Sequence, residues 1–207
     1  MDQLYMVYDI GATNVKHGLL DKQGIVHSFE CFSSEGKDGP FLLDQIKATI
    51  QRYQAIITGV AFSSAGVIDS EDHIIIRSGA FPSLNGFNIK DWFAKQFSHL
   101  NVSIENDGNC AVYAEKWVGA GRNMGDFITI SLGTAVGGGL FLNGDLVRGM
   151  NSLAGEFGSA YINLNGRQES LNAVTGIRSV RLRYAKEKQM DVENLTGEAI
   201  FPHYPTG

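Results

Sequence analysis

The sequence is short of cysteine, proline and positive charge. Cys31 and Cys110, the only two cysteines in 207 residues, are too few for a disulfide framework or a thiolate metal cage, and both sit among apolar neighbours. A reducing, cytoplasmic setting is the expectation. With four prolines and no low-complexity stretch, nothing reads as a flexible tether between domains. A net charge of −5 argues against nucleic acid or an anionic membrane surface as the main partner. Small anions stay possible, because backbone amides can hold them locally. No apolar run approaches the about eighteen residues that a membrane span requires, and "MDQLYMVYDIGATN" lacks the cationic start of a secretion signal. The histidines, His17, His27, His73, His99 and His203, are scattered singly and read as surface or satisfied groups, none standing at ligand spacing with another.

What is present is an ordinary globular composition, 43% hydrophobic and 19% charged, enough for one large or two small domains. Strand and helix signals alternate. "LYMVYDIG" is an apolar run ended by glycine, with "VKHGLLD" and "IVHSFECF" as hairpin partners, and "GPFLLDQIKATIQRY" has helical spacing behind Pro40. "IITGVAFSSAG" reads as a buried strand, "IKDWFAKQFS" as a short amphipathic helix, "NVSIEND" as a strand and "NCAVYAEKWVGAG" as a helix stopped by glycine. "DFITISLGT", "GGGLFLNGDLV" and a helix near Gly176 to Gln189 follow. Two lobes are expected, residues 1–110 and 111–207, joined through a helix. Trp92 and Trp117 are explained by core packing on their helices.

"VYDIGATNVKHGLLDKQG" and "TISLGTAVGGGLFLNGDL" align at an offset of about 122 residues, Asp9 with Ser131, Gly11 with Gly133 and Leu20 with Leu142. Each is strand, glycine turn, strand. Two unrelated hairpins would explain the glycines alone. A glycine turn with small hydroxyl residues also lets backbone N–H groups converge on an anion, so two such hairpins could hold one polyphosphate from both sides. No G-x-x-x-x-G-K-[ST] is present, and no G-x-G-x-x-G opens a helix after a strand, which disfavours P-loop and Rossmann sites. Between the hairpins, "SIENDGNCAVYAE" delivers Glu105, Asn106 and Asp107 to the start of a helix. Asp and Asn there suit a helix cap; they equally suit deprotonating and orienting a hydroxyl, and between two phosphate hairpins the second reading gains.

Taken together, "DIGATNVKHGLLD", "SSAGVID", "ENDGNCAVYAEKWVGAG", "ISLGTAVGGGLFLNGDLVRG" and "LAGEFG" resemble the ROK family of sugar kinases and regulators, from Tyr5 to about Gly158. "ENDGNCAVYAEKW" and "TGEAIFPHY" resemble its β-glucoside kinase branch. The resemblance implies an α/β fold of actin-like ATPase, ribonuclease H-like, lobes with mixed sheets. It implies a kinase that uses ATP and Mg2+ to phosphorylate the 6-hydroxyl of a glucose-type sugar or β-glucoside, acting as a homo-oligomer, a dimer. Carried over residue by residue, Gly11, Ala12, Thr13 and Asn14 would form the first phosphate hairpin with Asp9 near the metal, and Gly133, Thr134, Gly137 and Gly138 the second. Asp107 would be the general base, while Gly66, Asn106 and Glu156 would line the sugar site.

Departures from the family pattern also carry expectations. Ser159 stands where many members have histidine, and "SAYINLNGRQESLNAVTG" has no cysteine or histidine, so no zinc is expected. Glu169 is the nearest candidate for a further sugar-binding glutamate. The family pattern continues beyond "TGEAIFPHYPTG", so the second lobe is expected to be incomplete, with poor stability, oligomerisation or a complementing partner as the consequence. A truncated, non-catalytic sugar-binding relic or a regulator is the alternative to a kinase.

Overall fold

A computed structural model describes residues 3–133, 135–192, 195 and 200, with Arg178 described by its backbone alone. Thr134, His203 and, Ile200 apart, the segment "TGEAIFPHY" lie outside the described residues.

The chain opens with β1 (Leu4–Ile10), β2 (Asn14–Asp21) and β3 (Val26–Ser33), an antiparallel meander. Helix α1 (Gly39–Tyr53) starts where Asp38 accepts the Phe41 N–H at 3.0 Å with Pro40 in the first turn, and it buries Leu42, Ile46, Thr49 and Ile50 along one stripe. Strand β4 (Ile57–Ser64) then pairs parallel to β1. A small antiparallel sheet of β5 (Gly66–Asp69), β6 (Ile74–Ser78) and β7 (Phe87–Asn88) follows, and then α2 (Ile89–Gln96). Strand β8 (Asn101–Asn106) adds parallel to β4, giving a five-stranded mixed sheet in the order β3-β2-β1-β4-β8. Met6, Val15, Ile46 and Ile50 are fully buried in the cluster between this sheet and the helices, each such side chain worth about 1.5–3 kcal/mol. Trp92 packs on that cluster beside Phe87 and Phe93.

Helix α3 (Asp107–Trp117) leads to β9 (Phe127–Leu132), β10 (Val136–Leu142) and β11 (Asp145–Val147), a three-stranded antiparallel sheet. The sequence offset of about 122 carries β1 and β2 onto β9 and β10 almost residue for residue. Val112 of α3 packs with Phe141 and Leu146, and Phe127 stacks on Phe141 at 5.1 Å. This cluster is separate from the first. Trp117 is 46% exposed, against the sequence expectation of core packing, because it lies on the face of α3 away from Val112. The hairpin β12 (Tyr161–Leu164) and β13 (Arg167–Ser170) precedes α4 (Leu171–Thr175) and α5 (Ile177–Lys188). In the first sheet β1 has β2 on one edge and β4 on the other. Among the described residues β9 pairs on one edge alone, and Ile128, Ile130 and Leu132 along it are 54%, 58% and 70% exposed.

Candidate active site

The first hairpin turns at Gly11, Ala12 and Thr13 between β1 and β2. Its carbonyls are tied back: the Gly11 oxygen accepts the Ser34 hydroxyl at 2.9 Å, the Thr13 oxygen accepts the Ser34 N–H at 2.9 Å, and the Asn14 oxygen accepts the Gly11 N–H at 3.1 Å. Ala12 and Thr13 are exposed, and their own N–H groups donate to nothing among the described residues. A turn whose carbonyls face inward and whose free amides face water is an anion cradle. Asp9 stands beside it at the end of β1, accepting from Ser63 at 3.3 Å, with the Lys16 ammonium 4.0 Å from its other oxygen. Sequence reading missed Lys16 and Ser34. The signal for Lys16 was pairing register, since β2 sets it directly opposite Asp9.

Strand β8 delivers the next group. Asn106 is the cap of α3: its Oδ1 accepts the Asn109 N–H at 3.1 Å, and its Nδ2 donates to the Gly66 carbonyl at 2.9 Å and to Asp107 Oδ1 at 3.0 Å. The capping and functional readings of the sequence therefore coexist in one side chain. Asp107 Oδ1 also accepts the Gly108 N–H at 2.9 Å, whereas its Oδ2 accepts nothing among the described residues. The carboxylate is thus held by one oxygen and exposed at the other. Behind it lies Cys110, whose thiol burial pushes up to about 12 against a lowering hydrogen bond from Ser63, with Glu105, Asp107 and Asp9 adding to the rise.

The second hairpin meets α3 through bare backbone. A Cβ on Gly108 would press onto the Gly138 carbonyl, one on Gly139 would come within 2.6 Å of Val112, and one on Gly155 within 2.7 Å of the Gly138 oxygen. Gly138 also lies under the Phe157 ring, where a Cβ would come within 2.7 Å. The triple glycine therefore has a packing cause in addition to any phosphate role, since it lets α3 and the 155–158 segment close on β10 from both sides. Gly137 differs, because a Cβ there would meet the Ser131 hydroxyl at 2.9 Å and nothing else nearby. Gly133 is open, donating to the Ala135 oxygen at 3.0 Å and accepting from Ile177 at 2.8 Å. Asn172, unnoticed in the sequence, accepts the Val136 N–H at 2.7 Å and pins α4 to the start of β10.

The structure thus brings Gly66, Asn106 and Asp107 into direct contact and sets Glu156, exposed, beside Gly155 where that glycine touches Gly138. Glu169 is apart, on β13, lining a cavity of about 530 Å³ with Leu164, Asn165, Arg167 and Arg183 and with none of those residues. Among the described residues no three of His, Cys, Asp and Glu gather as a metal cluster, and no helix is long and apolar enough to cross a membrane.

The model of the ROK family matches residues 5–200. A β-glucoside kinase from Listeria monocytogenes is 36% identical over 201 residues, which are 95% of this chain and 68% of that protein. The solved structure of the Lmo2764 protein from Listeria monocytogenes superposes with a TM-score of 0.86 at 34% identity, covering 98% of this chain and 70% of that one. A ROK family glucokinase from Streptomyces griseus, in complex with glucose and AMPPNP, gives a TM-score of 0.79 at 25% identity, covering 98% and 72%. With nearly its whole length matched and its paired hairpins built on an α/β, actin-like ATPase fold, the chain belongs to the ROK family.

Proposed function

We propose that this protein, by family a carbohydrate kinase, transfers the γ-phosphoryl group of ATP to the 6-hydroxyl of a glucose-type sugar or β-glucoside, with Asp107 as general base. The observation that carries the reading is the state of Asp107. One oxygen is fixed by Asn106 and the Gly108 amide, the other is open, and the residue stands at the junction of the sugar-side groups and the second hairpin.

The free amides of Ala12 and Thr13 fit the phosphates of a nucleotide, and Gly133 and Gly137 on the opposite hairpin offer bare backbone for close approach, with Asn14, Thr134 and Gly138 assigned to the same sites. Magnesium is held through one or two carboxylates with water completing its shell, a role that the exposed Asp9 fits, and it would supply charge neutralisation at the phosphates. Lys16 adds a protein cation at the same place. Asn106, Glu156 and the Gly66 carbonyl orient the sugar, with Glu169 the candidate for a further sugar-binding glutamate. Asp107 Oδ2 then accepts the proton of the attacking hydroxyl while Asn106 Nδ2 keeps the carboxylate from rotating away. Phosphoryl transfer demands positioning and charge compensation more than covalent catalysis, and these groups supply both. The same reading divides the chain into lobes 1–110 and 111–207, and makes the protein a cytoplasmic homo-oligomer whose partners are sugar and ATP.

Asp107→Asn tests it. The expected result is sugar phosphate formation lowered by about 10² to 10⁴ with sugar affinity retained in calorimetry. Normal turnover in that variant overturns the assignment of the base. Wild-type chain that binds glucose, N-acetyl sugars, cellobiose or aryl-β-glucosides yet phosphorylates none of them favours the non-catalytic alternative.

A further inference from the structure

Directly behind Asn106 and Asp107 sits an ion pair that the sequence reading did not connect. Glu105 is the penultimate residue of β8, and its carboxylate accepts three hydrogen bonds and forms an ion pair with Arg148. Oε1 takes the Asn106 N–H at 2.9 Å and Asn109 Nδ2 at 3.0 Å. Oε2 takes the Arg148 Nε–H at 2.9 Å, and Arg148 Nη2 stands 2.8 Å from it in the ion pair. The Glu105 side chain is 12% exposed and that of Arg148 30%. Arg148 also donates to the Tyr113 hydroxyl at 2.9 Å, one turn and a half along α3. Burial alone would lower the Arg148 pKa, but Glu105 and Tyr113 outweigh it and raise the value.

The main chain of Arg148 completes a second connection. It follows β11, and its carbonyl accepts the Ala154 N–H at 3.0 Å, closing the loop that delivers Gly155 onto the Gly138 carbonyl and Glu156 to the sugar side. One residue therefore ties the loop carrying Glu156 to the carboxylate that orients the start of α3. We infer that Glu105 and Arg148 are a positioning pair that sets Asp107 and the Glu156 loop in register with each other, an inference that rests on the roles proposed for Asp107 and Glu156. Neither residue touches the reacting atoms. Each oxygen of Glu105 serves one side of the site, and the planar fork of arginine spans Glu105 and Tyr113 at once, which the single point charge of lysine does not do.

The experiment compares wild type with Arg148→Lys, Arg148→Met, Glu105→Gln and the double variant Arg148→Met/Glu105→Gln. The measurements are kcat, sugar KM, melting temperature and amide exchange at Asn106 and Asn109. A displacement of about 1 Å at a reacting group costs on the order of 10² in rate. Arg148→Met is expected to lose kcat on that scale and to raise sugar KM, with nucleotide KM unchanged. Arg148→Lys is expected to recover the melting temperature more fully than kcat. Because the two side chains act as a unit, the double variant should be no slower than Arg148→Met alone. A lowered melting temperature with kcat and sugar KM at wild-type values would show a merely structural ion pair and overturn the inference. If wild type makes no sugar phosphate, the proposed function fails instead, and exchange decides. Faster exchange at Asn106 and Asn109 in Arg148→Met, with β1 amides unchanged, supports the pair, and unchanged exchange overturns it.

Discussion

Adding one methyl group at Gly108 tests how α3 is held against the second hairpin. In Gly108→Ala the new Cβ would press onto the Gly138 carbonyl oxygen and lie 3.1 Å from its carbon and 3.1 Å from Asn106 Oδ1, where ordinary contacts begin near 3.4 Å. Both obstacles are fixed, one as main chain and one as the cap of α3. Relief requires α3 and β10 to part by roughly 1 Å, and overpacking of this kind costs about 1–3 kcal/mol. Alanine gains up to about 1 kcal/mol over glycine in a helix, so all but the smallest clash outweighs it and a net loss of up to about 2 kcal/mol is expected. For a chain of this size each kcal/mol lowers the melting temperature by about 2–4 °C. Activity should suffer more than stability, because Asp107 precedes the displaced residue, and a 1 Å error costs on the order of 10² in rate. The assays are urea denaturation and a coupled kinase measurement on wild type, Gly108→Ala and Gly125→Ala, the last because a Cβ there meets nothing within 4 Å. Gly108→Ala with wild-type midpoint and rate would refute the close approach of α3 and β10.

Further outcomes follow from other parts of the molecule. His17 is 5% exposed between Tyr8 and Phe32, and burial lowers its pKa below 6.5 while Glu30 raises and Arg52 lowers it. The unfolded chain binds this proton more readily, so stability should fall as pH drops below about 6.5 and level off below the folded value; replacing His17 with Asn should flatten that slope in urea titrations between pH 5 and 8, and an unchanged slope would exclude His17 as its source. On the edge of β9 that is unpaired among the described residues, Ile130→Lys should reduce concentration-dependent association in sedimentation while changing stability by no more than about 0.5 kcal/mol; equal association would clear the edge of that role. Cys31 is exposed and Cys110 has its thiol raised to about 12, so a thiol reagent should titrate one cysteine in the native protein and both in denaturant. Fast labelling of Cys110 in the native state would contradict its burial.

The elements legible in the sequence were those with strong local signals. Strand β1 ends in a glycine turn and buries Met6, Tyr8 and Ile10 by alternation, and α1 announces itself through Pro40 and the spacing of Leu42, Ile46 and Ile50. The repeat relating β1–β2 to β9–β10 was readable because both hairpins carry the same turn chemistry. Strands β5, β6 and β7 were not read, being short and separated by an irregular loop with one 3₁₀ turn. The Glu105–Arg148 pair escaped because its members are 43 residues apart and nothing local links them. Glycine was the most ambiguous signal. A bare position reads the same whether a phosphate or a neighbouring main chain fills the space, and at Gly138 and Gly139 the structure shows main chain and side chain there. Glu169 stands in the sequence only by proximity to the family pattern; on β13 it pairs with Ile162 and lines a cavity with Arg167 and Arg183.

The contact of Gly108, Gly155 and Gly138 has a consequence for how such a protein can diversify. Peptide groups lie directly against peptide groups there, so the spacing between the start of α3, which carries Asp107, and the second hairpin is set by main-chain van der Waals contact and not by side-chain size. The Glu156 side chain, by contrast, is exposed beside that contact, and a substitution there leaves the backbone spacing untouched. The arrangement separates a main-chain spacing that stays constant from side chains that are free to change around it.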